Sequence, residues 1–320
     1  MNYLDYSKFA DLLARQPERF PSRSARLVGA DCAFDSGFYD IVRFFGDSPV
    51  RADETHIEVL PGMFCITDPM IAEFARYVAE RLRRQGRLYD GPTVTGVRQI
   101  EIDEQAGRVL VQETTYADFA GSCFALDLSH PLFEDYGGSL RRYYIDRYSD
   151  TPLQDRPLAN CFGVCGYVLV TEGEQQFLLQ IVRASHLATM AGTPGPSVAG
   201  SVDFAADYGT IGGLIDRALG QEVEEELHLT RDEFSLTPLA CARELFRGDN
   251  PQLFALIRVN LSREDLAARM EAVPGAEREF ASYQFLPLSD SRLTTDAIDG
   301  INFEARMAYY LAEEYLAARQ

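Results

Sequence analysis

Residues 196–229 read PSVAGSVDFAADYGTIGGLIDRALGQEVEEELHL, and this segment gives the strongest prediction of the fold. It begins with a short strand and a loop that carry Gly200, and we expect a helix to follow from near Gly212 or Leu214. Apolar residues recur at helical spacing along this helix, which predicts one stripe packed against the core. The members of that stripe are Leu219, Val223 and Leu227. A strand, a loop and an amphipathic helix are therefore predicted in succession.

The same helix carries an acidic run, QEVEEE, at residues 221–226. At about 100° per residue, Glu222, Glu225 and Glu226 share one face, whereas Glu224 points elsewhere. Like charges at this spacing repel, and they repel more strongly when partly buried. Mg²⁺ would offset the repulsion, because it prefers oxygen ligands. A solvated acidic face is the alternative for any glutamate run, but the glycine loop and the strand-loop-helix order favour a metal site.

This arrangement resembles the Nudix family, whose signature is a glycine, a loop with a glutamate, and a helix reading Arg-Glu-apolar-x-Glu-Glu-x-Gly-apolar. The corresponding residues here are 221–229, and the three glutamates of the shared face match the family's metal ligands. Two positions depart from the pattern. Gln221 stands at the family's arginine, so the ion pair to a glutamate becomes at best a neutral hydrogen bond. His228 stands at the second glycine, where a helix C-terminus accepts it electrostatically.

The resemblance implies a metal site with roles for particular residues. Glu222, Glu225 and Glu226 would bind Mg²⁺, with Mn²⁺ as a substitute, and the backbone around Gly200 would supply another oxygen. Glu222 and Glu225 would also serve catalysis through that metal. The loop before the helix is longer than the family pattern. Three aspartates are candidates for the position of the family's loop glutamate: Asp203, Asp207 and Asp216.

Residues outside the acidic helix are expected to contact the substrate or the attacking water. Arg183 follows a predicted strand, where family members often place a basic residue that touches phosphate; a structural ion pair is the alternative. Arg243 is a second substrate-binding candidate, with Arg247 and Arg258 as further ones. Glu279 precedes the last strand at the position of a glutamate that helps activate water in many Nudix enzymes, and Glu277 is its rival.

Composition limits the classes of partner. The 320 residues carry a formal net charge of −19, which argues against binding to nucleic acid or to an anionic membrane. An anionic substrate would need a metal or a local arginine cluster. The six cysteines show no CxxC pair and no zinc-type spacing with the four histidines. We expect a cytoplasmic protein because neither a signal pattern nor a membrane-spanning run is present; a homodimer is left open.

The hydrophobic pattern predicts an α+β chain that ends in an α-β-α sandwich. Two apolar runs, FGVCGYVLVT and QFLLQIVRA, predict a buried hairpin at the start of a Nudix-like domain with a mixed sheet. We place this domain at residues 156–320, including a C-terminal helix. Residues 1–155 would form a smaller α+β extension with a connector. Asp68 is predicted to cap a helix there, and residues 56–67 to form a strand broken at Pro61.

The extension also carries a resemblance of its own. Alternation within residues 97–113 predicts a β-hairpin. The flanking segments, 88–92 (LYDGP) and 115–118 (TYAD), resemble those around a hairpin in Nudix proteins that hydrolyse UDP-sugars. In the connector, Arg141, Arg142, Tyr143 and Tyr144 would either line a nucleotide pocket or pack at the surface.

The sequence therefore predicts Mg²⁺-dependent hydrolysis of a nucleoside diphosphate linked to another group. The resemblance points to a UDP-sugar, cleaved to UMP and a sugar 1-phosphate. ADP-ribose or a dinucleotide is the alternative substrate. A Nudix-fold protein that binds nucleotides without turnover, as a regulator, is the alternative from another class, because Gln221 replaces the arginine. No GxxxxGK[ST], HExxH or GxSxG motif supports a different chemistry.

Overall fold

The computed structural model describes residues 4, 6–15, 39–48, 50–89, 91–102, 107–185, 187, 190–274, 278–288 and 303–319. The helices are α1 (Tyr6–Arg15), α2 (Pro69–Arg84), α3 (Tyr116–Ser122), α4 (Leu140–Tyr148), α5 (Ile211–Leu227), α6 (Arg263–Ala272) and α7 (Phe303–Ala317). The strands are β1 (Tyr39–Arg43), β2 (Thr55–Met63), β3 (Val94–Ile102), β4 (Gly107–Thr114), β5 (Gly163–Glu172), β6 (Gln175–Arg183), β7 (Pro194–Gly195), β8 (Val198–Ser201), β9 (Phe234–Glu244), β10 (Asn250–Val259) and β11 (Phe280–Leu288). Among the described helices, none combines the length and the apolar character needed to cross a membrane.

A large mixed sheet forms the centre of the molecule. Its strands lie in the order β1-β9-β10-β5-β6-β11, with β7 paired to β6 and β8 paired to β5. The pairing of β10 with β5 is parallel, and the remaining pairings in this sheet are antiparallel. The predicted hairpin of two apolar runs is confirmed as β5 and β6.

Helices cover both faces of this sheet because its central strands are apolar on both sides. Along β5, Val164 and Val168 join the core under α5 and α6, while Tyr167 and Leu169 join the core under α7 and α1. Two-sided burial explains why the strand reads as a continuous apolar run rather than an alternating one. The predicted α+β class, with a mixed sheet in an α-β-α sandwich, is confirmed.

A smaller sheet, in the order β2-β4-β3, comes from the first half of the chain. Strands β3 and β4 form the predicted hairpin, although its turn, residues 103–106, and Asp90 in the preceding segment lie outside the described residues. β2 differs from the prediction, because the strand continues through Pro61. Its hydrogen-bonded pairing with β4 shifts register between Val59 and Met63. Pro61 lies in this interval and has no N–H to donate.

The predicted domain boundary between residues 155 and 156 stays a prediction. Residues from before and after it pair in one sheet and pack in one core. β1 pairs with β9 at the edge of the large sheet. The amides of Thr95 and Phe204 donate to Val202 O and Thr93 O, both at 2.8 Å. Three valines of the small sheet belong to the core under α5: Val97, Val109 and Val111. The smaller sheet is thereby fixed against the loop that follows β8.

Asp68 caps α2 as predicted and also anchors α4. Its Oδ1 accepts from the amides of Met70 at 2.9 Å and Ile71 at 3.1 Å. Its Oδ2 accepts from the hydroxyls of Tyr143 at 2.7 Å and Tyr148 at 2.6 Å. Burial opposes the ionisation of Asp68, but these hydrogen bonds outweigh it and lower its pKa. One carboxylate therefore joins the two helices.

The connector side chains are mostly buried packing elements. Arg141 forms a bidentate ion pair with Asp127 at 2.7 Å, and their side chains are 3% and 2% exposed. Tyr143 and Tyr144 are buried in the same core. Arg142 pairs with Asp146 at 2.9 Å. These contacts support the packing role, although three of the four residues lie inside rather than at the surface.

We predict that Asp68→Asn lowers the free energy of unfolding at pH 7 by about 1–3 kcal/mol, because the charged acceptor of four hydrogen bonds is lost. The folded-state pKa of Asp68 is lowered. Its stabilisation is therefore present above the unfolded pKa of about 3.9 and is lost as pH falls through the folded pKa. Urea unfolding at pH 7 and at acid pH should show the gap closing. Asp135→Asn, at an exposed position, is the control, and an equal loss there would contradict the assignment.

Candidate functional site

The acidic helix of the sequence is α5, and local signals determine both of its ends. Thr210 caps its N-terminus, accepting from the amide of Gly213 at 3.2 Å. His228 ends it with φ of 55° and ψ of 37°, the left-handed conformation. Glycine adopts this conformation without strain. The departure at His228 therefore has a local backbone cost and leaves the helix itself intact.

Two glutamates of α5 turn towards β8. A Cβ on Gly200 would overlap Oε1 of Glu222, so only glycine allows this carboxylate to lie against the strand. Oε1 of Glu226 is buried and has no hydrogen-bond partner among the described residues. Glu224 is exposed, as predicted. The shared face inferred from helical spacing is thus confirmed for Glu222 and Glu226, and Gly200 makes room for Glu222.

Glu225 occupies the solvent side of the same group. It is exposed, and its Oε1 accepts from Nε2 of Gln221 at 2.8 Å. The substitution of the family's arginine by Gln221 therefore leaves a neutral hydrogen bond, as expected. No positive charge offsets Glu225 through this contact.

Electrostatic effects extend the group beyond α5. Burial, then Glu279, Glu225 and Asp203, raise the pKa of Glu222 to about 7. Burial, then Glu279 and Glu222, raise the pKa of Glu226 well above its ordinary value, and Arg183 acts in the opposite direction. We call these five acidic residues the carboxylate cluster: Asp203, Glu222, Glu225, Glu226 and Glu279. Clusters of this kind, in a cleft, are typical of functional sites.

Two members of the cluster, Glu222 and Glu279, line a cleft of about 280 Å³. Five predicted residues line this cleft: Arg183, Gly200, Glu222, Glu279 and the further candidate Arg247. Arg243 does not line this cleft. It contributes to a separate pocket, where its Nη1 lies 3.6 Å from Oδ1 of Asp249. The structure thus separates the two arginines that were predicted to bind substrate.

The positions of the remaining candidates show which of them lie near the carboxylate cluster or the cleft. Glu277 lies outside the described residues. Of the three aspartates, Asp203 joins the cluster: burial and then the charge of Glu225 raise its pKa. Asp207 instead accepts from the amide of Gly209 at 3.0 Å, and Asp216 forms an ion pair with Arg231. Arg258 lies by the Tyr315 ring, whereas Arg247 lines the cleft.

Apart from Arg247, a further substrate-binding candidate, the other lining residues were not predicted as site residues. Three aromatic residues of the first half of the chain form one side of the cleft, and we call them the aromatic wall: Tyr116, Phe119 and Phe124. Polar residues form another part of the lining, and we call them the polar floor: Arg247, Asn250, Gln252 and Glu304. The only sequence signal for the wall was Tyr116, within the TYAD segment.

The chemistry of the cluster fits a hard divalent cation. Its side chains offer carboxylate oxygens, the ligands that Mg²⁺ prefers, and Oε1 of Glu226 is buried without a partner among the described residues. Within that part of the chain, no three His, Cys, Asp or Glu side chains converge into a preorganised metal site. The donors are therefore suitable, and they would have to draw together on binding a metal.

Comparison with known proteins gives structural likenesses alone. No protein-family model and no curated protein matches the chain. DR0079 of Deinococcus radiodurans is similar at 16% identity and a TM-score of 0.34, over 48% of this chain and 83% of that one. The Ap4A hydrolase of C. elegans is similar at 13% identity and a TM-score of 0.31, over 50% of this chain and 99% of that one. The NUDIX domain of Shewanella oneidensis NrtR, complexed with ADP ribose, is similar at 13% identity and a TM-score of 0.32, over 49% of this chain and 89% of that one. Since these TM-scores lie below 0.5, we infer function from the site itself.

We predict that Glu226→Gln stabilises the protein in EDTA, and more strongly at pH 8 than at pH 5. The folded-state pKa of Glu226 is raised, so the wild type loses stability as pH rises from the unfolded value of about 4.3 through the folded one. Glutamine removes this loss. Thermal unfolding across pH measures the difference between variant and wild type. Glu224→Gln, exposed on the same helix, is the control; a gain independent of pH would contradict the buried charge.

We also predict that His228→Gly stabilises the protein by about 0.5–1 kcal/mol. The left-handed conformation costs a residue with a Cβ roughly 1–2 kcal/mol. Glycine removes this cost but loses more backbone entropy on folding, so the net gain in stability is smaller. Urea unfolding at pH 7 is the measurement. His228→Ala keeps the Cβ and should give no such gain. If both variants stabilise equally, the backbone conformation is not the cause.

Proposed function

We propose that the protein is a Nudix-type hydrolase that uses Mg²⁺ to cleave a nucleoside diphosphate linked to another group. The observation that carries this proposal is the carboxylate cluster: Glu222 and Glu226 are held against β8, with Glu225, Glu279 and Asp203 near enough to perturb them. Together with the spacing of the glutamates in α5, this grouping supports a divalent metal site for an anionic substrate.

Each residue has a role in this proposal. Glu222, Glu225 and Glu226 would hold Mg²⁺, together with the backbone oxygen of Gly200; Mn²⁺ would substitute. Bound there, the metal would polarise the diphosphate and lower the pKa of the attacking water. Gln221 holds Glu225 in position through its hydrogen bond.

The other cleft residues would act on the water and on the phosphates. Glu279 would accept the proton of the attacking water, and Arg183 would offset charge on the phosphate oxygens. The oxygen of water bonds to one phosphorus, and the bridging oxygen leaves with the other phosphate. For a UDP-sugar the products are UMP and a sugar 1-phosphate, with one water consumed.

A UDP-sugar is the substrate that we favour. The support is the resemblance of the segments around the β3–β4 hairpin to Nudix proteins that hydrolyse UDP-sugars, together with the position of Tyr116 in the cleft. ADP-ribose and dinucleotides share the diphosphate chemistry and remain the alternative substrates.

A regulator that binds nucleotides without turnover is the second candidate. The neutral contact of Gln221 with Glu225 favours it, because an arginine would hold the carboxylate by a stronger, charge-assisted hydrogen bond. The two candidates differ in one measurable property, which is the formation of product.

We predict that the wild type with Mg²⁺ forms product from at least one member of a panel of UDP-sugars, ADP-ribose and dinucleotides, detected by mass spectrometry. Glu225→Gln should reduce the rate by about 10²-fold or more, because a charge that acts on the metal is lost. EDTA should abolish turnover and Mn²⁺ should restore it. Glu224→Gln is the matched control. Tight binding without product across the panel would establish the regulator, and neither binding nor product would overturn both proposals.

A further inference from the structure

The polar floor is built from segments distant in sequence. Arg247 follows β9, Asn250 and Gln252 belong to β10, and Glu304 lies in the first turn of α7. Gln252 and Asn250 are each 1% exposed and Arg247 is 3% exposed. Burying polar groups is costly unless they are paired, and Asn250 is paired with the backbone, because its Oδ1 accepts from the amide of Cys161 at 3.0 Å.

Three residues of the floor, Arg247, Gln252 and Glu304, are connected to one another, and the floor carries no excess of positive charge. Nε2 of Gln252 donates to Oε1 of Glu304 at 2.7 Å. Nη2 of Arg247 lies 3.6 Å from Oε2 of Glu304, and its Nη1 lies 2.8 Å from Oε2 of Glu244. One guanidinium with two carboxylates does not attract a phosphate. This end of the cleft is instead suited to an uncharged group that donates hydrogen bonds to Glu304.

Strand register fixes the distance between the floor and the carboxylate cluster. Gln252 pairs with Gly163, and Gly163 pairs with Ser201, the neighbour of Gly200. Two strand spacings therefore separate the backbones of Gln252 and Ser201, about 10 Å. A Cβ on Gly163 would overlap Oε1 of Gln252, as a Cβ on Gly200 would overlap Glu222. Two glycines in neighbouring strands thus make room for the two ends of one site.

The aromatic wall supplies an apolar surface to the same cleft. Tyr116 and Phe119 are in edge contact at 5.8 Å, and Phe119 and Phe124 at 4.8 Å. The guanidinium of Arg247 lies 4.8 Å from the centre of the Phe124 ring and covers one of its faces. The wall is therefore an edge-to-face cluster rather than a pair of parallel rings between which a base could lie.

We propose that the polar floor and the aromatic wall form a binding site for a sugar ring joined directly to the diphosphate. Hydroxyl groups of the sugar donate to Glu304, and its C–H surface packs on Tyr116. A sugar one bond from the phosphate fits the short separation of about 10 Å, whereas a nucleobase lies beyond a further ribose. This inference rests on the proposed function and assigns the non-reacting end of its substrate.

The test compares binding of two non-hydrolysable probes by calorimetry with Mg²⁺: α,β-methylene UDP-glucose and α,β-methylene UDP, which lacks the sugar. The wild type should bind the first more tightly, and Glu304→Gln should reduce this preference about tenfold while leaving the affinity for the second unchanged. An α,β-methylene ADP arm, which also lacks the sugar, measures any preference between uracil and adenine separately. Glu313→Gln, on the same helix but outside the cleft lining, is the control.

A second variant keeps the proposal testable if Glu304→Gln does not fold. Tyr116→Ala, in the partly exposed wall, should reduce the same preference. Equal wild-type affinity for the two UDP probes, or an equal loss of both in Glu304→Gln, would overturn the sugar site and leave the proposed hydrolysis intact. A change in preference between uracil and adenine instead would overturn it in favour of a base site. Failure of the wild type to bind any probe or to form product would overturn the proposed function as well.

Discussion

The position of two partly buried glutamates against β8 is the constraint on which the site depends. Raising the pKa of Glu222 from 4.5 to about 7 corresponds to a cost of about 3 kcal/mol once it is ionised. The same helix buries Leu219, Val223 and Leu227 in the core, and each contributes roughly 1.5–3 kcal/mol. The apolar stripe therefore holds α5 in place despite the repulsion on its other side, and Gly200 provides the space.

The first half of the chain contributes residues to this site. Backbone hydrogen bonds join β3 and the residue before it to the loop after β8, at Val202 and Phe204. That loop carries Asp203, a member of the carboxylate cluster. The segment after β4 contributes the aromatic wall. The smaller sheet is thus hydrogen-bonded to the loop on both sides of Asp203, and the segment that follows β4 supplies an apolar surface of the cleft.

Local patterns predicted the parts of the structure that depend on neighbouring residues. Helical spacing gave the shared face of Glu222 and Glu226, and capping chemistry gave Asp68 and the start of α2. Long-range register was not predictable in this way. Nothing near Glu304 marks it as a cleft residue, because it lies in a helix whose pattern reports only its apolar stripe. Arg243 and Arg247 are four residues apart, yet the turn between them directs them to different pockets.

The two departures from the Nudix pattern have different physical costs. His228 strains one backbone position after the helix has ended and does not move the glutamates. Gln221 keeps the hydrogen bond to Glu225 but brings no positive charge to it. An arginine there would neutralise part of the cluster from within the protein. Residue 221 of this chain leaves that share of the negative charge uncompensated, so the Mg²⁺ that we propose would have more of it to offset.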